Sequence, residues 1–128
     1  MPDESEHEAK YRENRVLLNG PPALSSVSSP WAATVAFYAA VHLVEQLAAR
    51  DAIHHTRHTG MASRARYLAM HPIHHVIGPD LSALLSASIV ARYETVAAFA
   101  GGYPGDIVQT RLIDTHLAAI ETHAAAHL

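Results

Sequence analysis

Apolar residues recur with a helical period along most of this chain, and the best-marked run lies at residues 30–50. There Phe37, Ala40, Val41, Val44, Leu47 and Ala48 fall on one stripe of a 3.6-residue repeat. Ser29, Pro30 and Trp31 open that run as a serine cap followed by a proline, whose missing N–H costs nothing in a first turn. Residues 1–20 are charge-rich and read as a short helix anchored by Tyr11, Leu17 and Leu18, stopped by Asn19, Gly20 and the Pro21-Pro22 pair. Residues 61–70 form a third helix, with Met61, Tyr67, Leu68 and Met70 as its apolar side chains, and 71–80 is a connector. A fourth helix spans 80–99, its inward line running Leu81, Leu84, Leu85, Ser88, Ile89, Arg92 and Val96. The glycine-rich stretch 101–105 breaks the chain before a last helix at 106–127, with Leu112, Ile113, Leu117, Ile120 and Ala124 inward.

These elements predict an all-α fold, a compact up-and-down bundle of four to five helices forming one domain over residues 1–128. Composition agrees, since 49% of residues are apolar but only 6% aromatic, so alanine carries much of the core and helices pack closely. The apolar run at 31–49 is interrupted by His42, Glu45 and Gln46, which marks a core helix and not a membrane span. The charged N-terminus lacks a signal-peptide core and there is no cysteine, so a cytoplasmic protein without disulfides or thiol chemistry is expected.

Charge and histidine change the picture. A formal charge of −3 advertises no broad nucleic-acid footprint, but protonating all 11 histidines moves it by 11 units to +8. Histidine and arginine are densest at 50–58, where Arg50, His54, His55, Arg57 and His58 crowd together, with Arg64 and Arg66 about two turns on. Arginine holds phosphate through a forked pair of donors and histidine exchanges a proton near neutral pH. Together they are a minimal kit for metal-free RNA cleavage. The plain alternative is a solvated basic loop. Tyr38, His42 and Glu45, spaced by four and three, are neighbours on one flank of the second helix.

Metal binding is the competing chemistry. His54/His58, His71/His75 and His123/His127 all have the HxxxH spacing that brings two imidazoles to one helix face. Pro72 makes His71 a cap more than a helical ligand, and no HExxH motif is present. Zinc or nickel is therefore the alternative to a protein with no cofactor. No GxSxG elbow exists and paired carboxylates are scarce, which argues against serine hydrolases and glycosidases.

The segment WAATVAFYAAVHLVE (31–45), the IHxxxH pattern at 53–58 and SIVARY (88–93) together resemble the HEPN superfamily, specifically a small bacterial HEPN-like group, over about residues 8–100. The resemblance implies a short helical bundle that works as a homodimer. It also implies an association with RNA or nucleotides, as a ribonuclease or as part of a toxin–antitoxin or defence module. Its partner would be an antitoxin or a nucleotidyltransferase-type protein. Family ribonucleases carry R-x4-6-H on a late helix, whereas here Arg92 is followed by Tyr93 and Glu94 to Phe99, without histidine. Arg50-x4-His55 and Arg66-x4-His71 match the letters but end in loops. Chemistry, if present, is first a metal-independent ribonuclease and second a metal-dependent hydrolase; a helical dimerisation or adaptor domain is the third reading. The expected site is one polar pocket in which His54, His58 and Arg92 act on the ligand while Tyr38, His42, Glu45, Arg64 and Tyr93 bind or position it. In that pocket Arg92 pairs with Glu45.

Overall fold

The apolar run at 30–50 becomes the axis of the molecule. In the computed structural model, which describes residues 3–53 and 60–128, the helix α3 (Ser29–Arg50) buries fifteen of its 22 residues. Burial on all sides explains why the run looks too apolar for a one-sided helix. α3 alone among the described helices is long and apolar enough to cross a membrane, and 83% of that window is covered by the rest of the protein. Its N-cap is Ser28, one residue before the serine the sequence suggests, with the Ser28 hydroxyl accepting from Trp31 N–H at 3.3 Å.

The other elements wrap around this axis. α1 (Glu4–Asn19) opens with a capping box, Asp3 and Glu6 exchanging side-chain and main-chain bonds of 2.9 Å. It lies antiparallel against α3, with Glu4 paired to Arg50 at 2.9 Å and His7 beside His42. α1 ends at Gly20, whose φ of 70° and closeness to the Pro22 carbonyl leave no room for a Cβ. A one-turn helix, α2 (Leu24–Val27), leads into α3.

After α3 come α4 (Gly60–Met70), a 3₁₀ turn (His74–Ile77) and α5 (Gly78–Tyr93). The chain next turns at Glu94 and Thr95 into α6 (Val96–Gly102). It finishes in a continuous helix that is π-wound over Val108–Leu117 and α-helical over Ala118–His127, here α7. The wider winding shows in the Thr115 hydroxyl, which reaches back five residues to the Thr110 carbonyl at 2.8 Å.

All regular structure among the described residues is therefore helical, in seven α-helical segments where periodicity predicts four or five. Two features account for the difference. α2 is a single turn with no periodic signature, and the expected helix 80–99 is cut where the Thr95 hydroxyl caps Ala98 N–H. The inward line holds only in part. Leu81, Leu84 and Ser88 are buried, but Ile89 and Arg92 lie exposed on the outer side of α5, and Val96 is exposed beyond its end, where the chain has turned away.

The exit from α3 is a Schellman motif. Ala52 N–H bonds the Ala49 carbonyl and Ile53 N–H bonds the Ala48 carbonyl, at 3.0 and 2.9 Å. The left-handed position belongs to Ala52, with φ of 59°, where glycine is the usual occupant. Replacing Ala52 with Gly relieves this strain, and chemical denaturation should show a gain of up to about 1 kcal/mol, net of the added freedom of the unfolded chain. A loss of stability would show that the turn is not the strained one described.

Candidate functional site

The single pocket expected from the sequence is divided among three places. Arg92 does meet Tyr38. Its guanidinium lies 5.9 Å from the Tyr38 ring centre and 5.3 Å from that of Tyr93, and donates to the Tyr38 hydroxyl at 3.4 Å. Ser88, fully buried one turn earlier, holds the arginine from behind, accepting at its carbonyl (3.2 Å) and its hydroxyl (3.3 Å). Trp31, 64% exposed, stands next to this group. Pro30, Trp31, Thr34, Tyr38, Ala91 and Arg92 line an open cleft of about 470 Å³. Arg92 itself is exposed, and no carboxylate pairs with it among the described residues.

Glu45 is not its partner, contrary to expectation. The Glu45 carboxylate is bonded by Arg64 Nε of α4 at 2.6 Å, with both side chains largely withdrawn from water. Helix geometry gives the reason. Arg92 reaches α3 at Tyr38, and Glu45 lies two turns further along, roughly 10 Å up the axis. His42 is separated as well. Its Nδ1 lies 3.0 Å from Nδ1 of His7 in α1, with the rings tilted at 36°. Burial, reinforced by His7, lowers its pKa to about 4, so His42 is neutral at physiological pH. Tyr38, His42 and Glu45 are thus neighbours on one flank, as their spacing predicts, but α5, α1 and α4 cover them in turn. His54 and His58, placed in the same pocket by the sequence, lie outside the described residues, as do His55 and Arg57.

A second cluster forms where four segments meet. Asp51, just past α3, accepts the Tyr67 hydroxyl at 2.7 Å and the His71 Nε2–H at 3.2 Å on one carboxylate oxygen. His71 Nδ1 takes the main-chain N–H groups of Ile73 and His74 at 3.0 and 3.1 Å, which fixes its proton on Nε2 and makes it the cap expected from Pro72. The His71 and His74 rings stack at 4.0 Å, and His74 Nδ1 lies 2.8 Å from His123 Nε2 of α7. His127 completes the group, its ring centre 4.4 Å from that of His123. Burial first, and then the neighbouring imidazoles, lower the His74 pKa to about 4 and push His123 down too.

Of the spaced pairs, His123/His127 stays together. His71/His75 does not, because His75 Nδ1 turns back to the His71 carbonyl. Asp51 and Tyr67 are not legible as partners in the sequence, since nothing in spacing joins the end of α3 to the end of α4.

Comparison of the chain with protein-family models, curated proteins and solved structures finds no match in any of the three.

The depressed histidines set a pH dependence. Between about pH 6.5 and 4 the unfolded chain binds protons at His42 and His74 that the folded chain refuses, so stability present above pH 6.5 is lost as pH falls toward 4, and the lowered His123 contributes with the same sign. Melting temperature should fall across this window, and the combined His42→Asn and His74→Asn variant should show a shallower slope. An unchanged slope would place the acid sensitivity elsewhere.

Proposed function

We propose that the protein binds single-stranded RNA or a free nucleotide in the cleft between Trp31, Tyr38 and Arg92, as an HEPN-like component of an RNA-directed bacterial module. Arg92 carries this reading: a guanidinium held in place by Ser88, flanked by Tyr38 and Tyr93, open to solvent and without a carboxylate among the described residues. A guanidinium in that state keeps donors for a phosphate, while exposed aromatic faces accept unstacked bases whatever their sequence. The cleft volume lies within the range of small-ligand sites. The HEPN-like resemblance, a homodimeric state and an antitoxin or nucleotidyltransferase-type partner belong to the same proposal.

Binding rather than cleavage is the proposed activity. Among the described residues none of Arg92's hydrogen bonds reaches an imidazole, and the clustered histidines His7, His42, His74 and His123 bond to one another instead.

Trp31 is the only tryptophan, so its fluorescence reports the cleft directly. Titration with a short oligouridylate should quench it saturably, and added salt should weaken the effect. Arg92→Ala and Tyr38→Ala should each reduce affinity by about tenfold or more, the scale of a lost base–aromatic contact. No quenching, or unchanged affinity in both variants, would remove the proposal. RNA cleavage lost in His58→Ala but kept in Arg92→Ala would move the activity to the 54–58 segment.

A further inference from the structure

We propose that Asp51, His74 and His123 form a binding site for one divalent ion of the zinc or nickel class, with His71 and Tyr67 orienting the carboxylate. This site is separate from the RNA-binding cleft and does not depend on it.

Donor geometry is the first support. Ligand atoms of Asp51, His71 and His74 lie within 4.8 Å of one another, and His123 Nε2 approaches His74 Nδ1 to 2.8 Å. Metal–nitrogen bonds near 2.0–2.1 Å hold tetrahedral ligand atoms roughly 3.3 Å apart, so small ring rotations convert this cluster into a coordination shell. The segments involved are distant in sequence: the end of α3, the 3₁₀ turn and α7. An isolated HxxxH pair on one exposed helix would offer two ligands only.

Donor chemistry selects the ion. Several imidazoles beside a single carboxylate suit zinc or nickel, whereas calcium and magnesium require an oxygen-rich shell. His74 is buried, and its Nδ1 and His123 Nε2 face each other at 2.8 Å, so ring nitrogens of both imidazoles are turned toward one point. The hydrogen bond between His74 Nδ1 and His123 Nε2 is what an entering cation replaces, the N–H proton of that bond moving to the other nitrogen of its own ring so that both imidazoles coordinate as neutral ligands.

The tautomer of His71 divides the labour. With its Nδ1 lone pair committed to two main-chain N–H groups, His71 keeps its proton on Nε2 and donates it to Asp51. Tyr67 donates to the same Asp51 oxygen, leaving the other oxygen for the ion. Both are positioning residues of the kind that surrounds a metal-bound carboxylate. His127 stands one helical turn from His123 and is placed to supply the fourth ligand.

The test is calorimetric titration of zinc, then nickel, into protein lacking any histidine tag. The expected result is one ion per chain and a raised melting temperature. His74→Asn and His123→Asn should each lose at least tenfold in affinity, and Tyr67→Phe should weaken binding while leaving the stoichiometry at one. Joint replacement of His54, His55 and His58 by Asn should leave affinity unchanged. Cobalt(II) added to the unmodified protein gives a readout that needs no variant: a visible absorption of four-coordinate intensity is expected. Absence of saturable binding and of that band, or affinity lost with the 54–58 replacement and retained in His74→Asn, overturns the site.

Discussion

Glu45 puts a carboxylate in the middle of a helix that is otherwise packed with alanine, valine and leucine, and only 4% of the residue meets solvent. A charge so placed costs several kcal/mol in lost hydration unless a partner of opposite sign meets it with good geometry. Arg64 supplies that partner at 2.6 Å, and in doing so fixes where α4 lies against α3. The seating of α4 in turn places the residues beyond it. Tyr67 and His71 lie one helical turn and two beyond Arg64, and they reach the Asp51 carboxylate at the foot of α3. The pair need not add net stability to do this, since its main effect is to exclude other placements of α4.

α3 also acts as a ruler. Tyr38 meets Arg92, His42 one turn on meets His7, Glu45 meets Arg64, and Asp51 beyond the helix end meets Tyr67 and His71. These contacts along one axis give the molecule two separate polar regions, one open and aromatic, the other partly buried and rich in imidazole. The open region keeps a cation without a described counter-charge, as recognition of an anion needs. The partly buried region brings the imidazoles of His71, His74, His123 and His127 together. One helix therefore holds both regions in place without their sharing a side chain.

Much of this is legible in the sequence, and the misses have physical causes. Periodicity places α1, α3 and α4 close to their observed bounds, and the inward line Leu112, Ile113, Leu117, Ile120 and Ala124 is buried throughout. Helical phase together with the HEPN-like resemblance places Tyr38 and Arg92 in one pocket, and the two do meet. Phase alone does not give height along an axis, which is why it points Arg92 at Glu45, two turns too far. Thr95 is the available sign that the helix 80–99 is cut, but a threonine among apolar residues carries little weight beside an intact repeat. The turn at Ala52 gives no sign at all, because alanine stands where glycine would have marked it. The imidazole cluster depends on tertiary contacts between distant segments, His71 with Asp51 across 20 residues and His74 with His123 across 49, and spacing within a helix cannot reveal them.

The dependence of the fold on the buried ion pair is tested most directly by a double-mutant cycle at Glu45 and Arg64, read by chemical denaturation. Glu45→Leu and Arg64→Met should each destabilise the protein by roughly 3–5 kcal/mol, because each leaves its partner's charge withdrawn from water. The double variant should lose less than the sum of the two single losses, the difference being a coupling of about 1–3 kcal/mol between the two positions. Simple additivity of the two losses would contradict the account, since it would mean that Arg64 and Glu45 act independently and that something else seats α4.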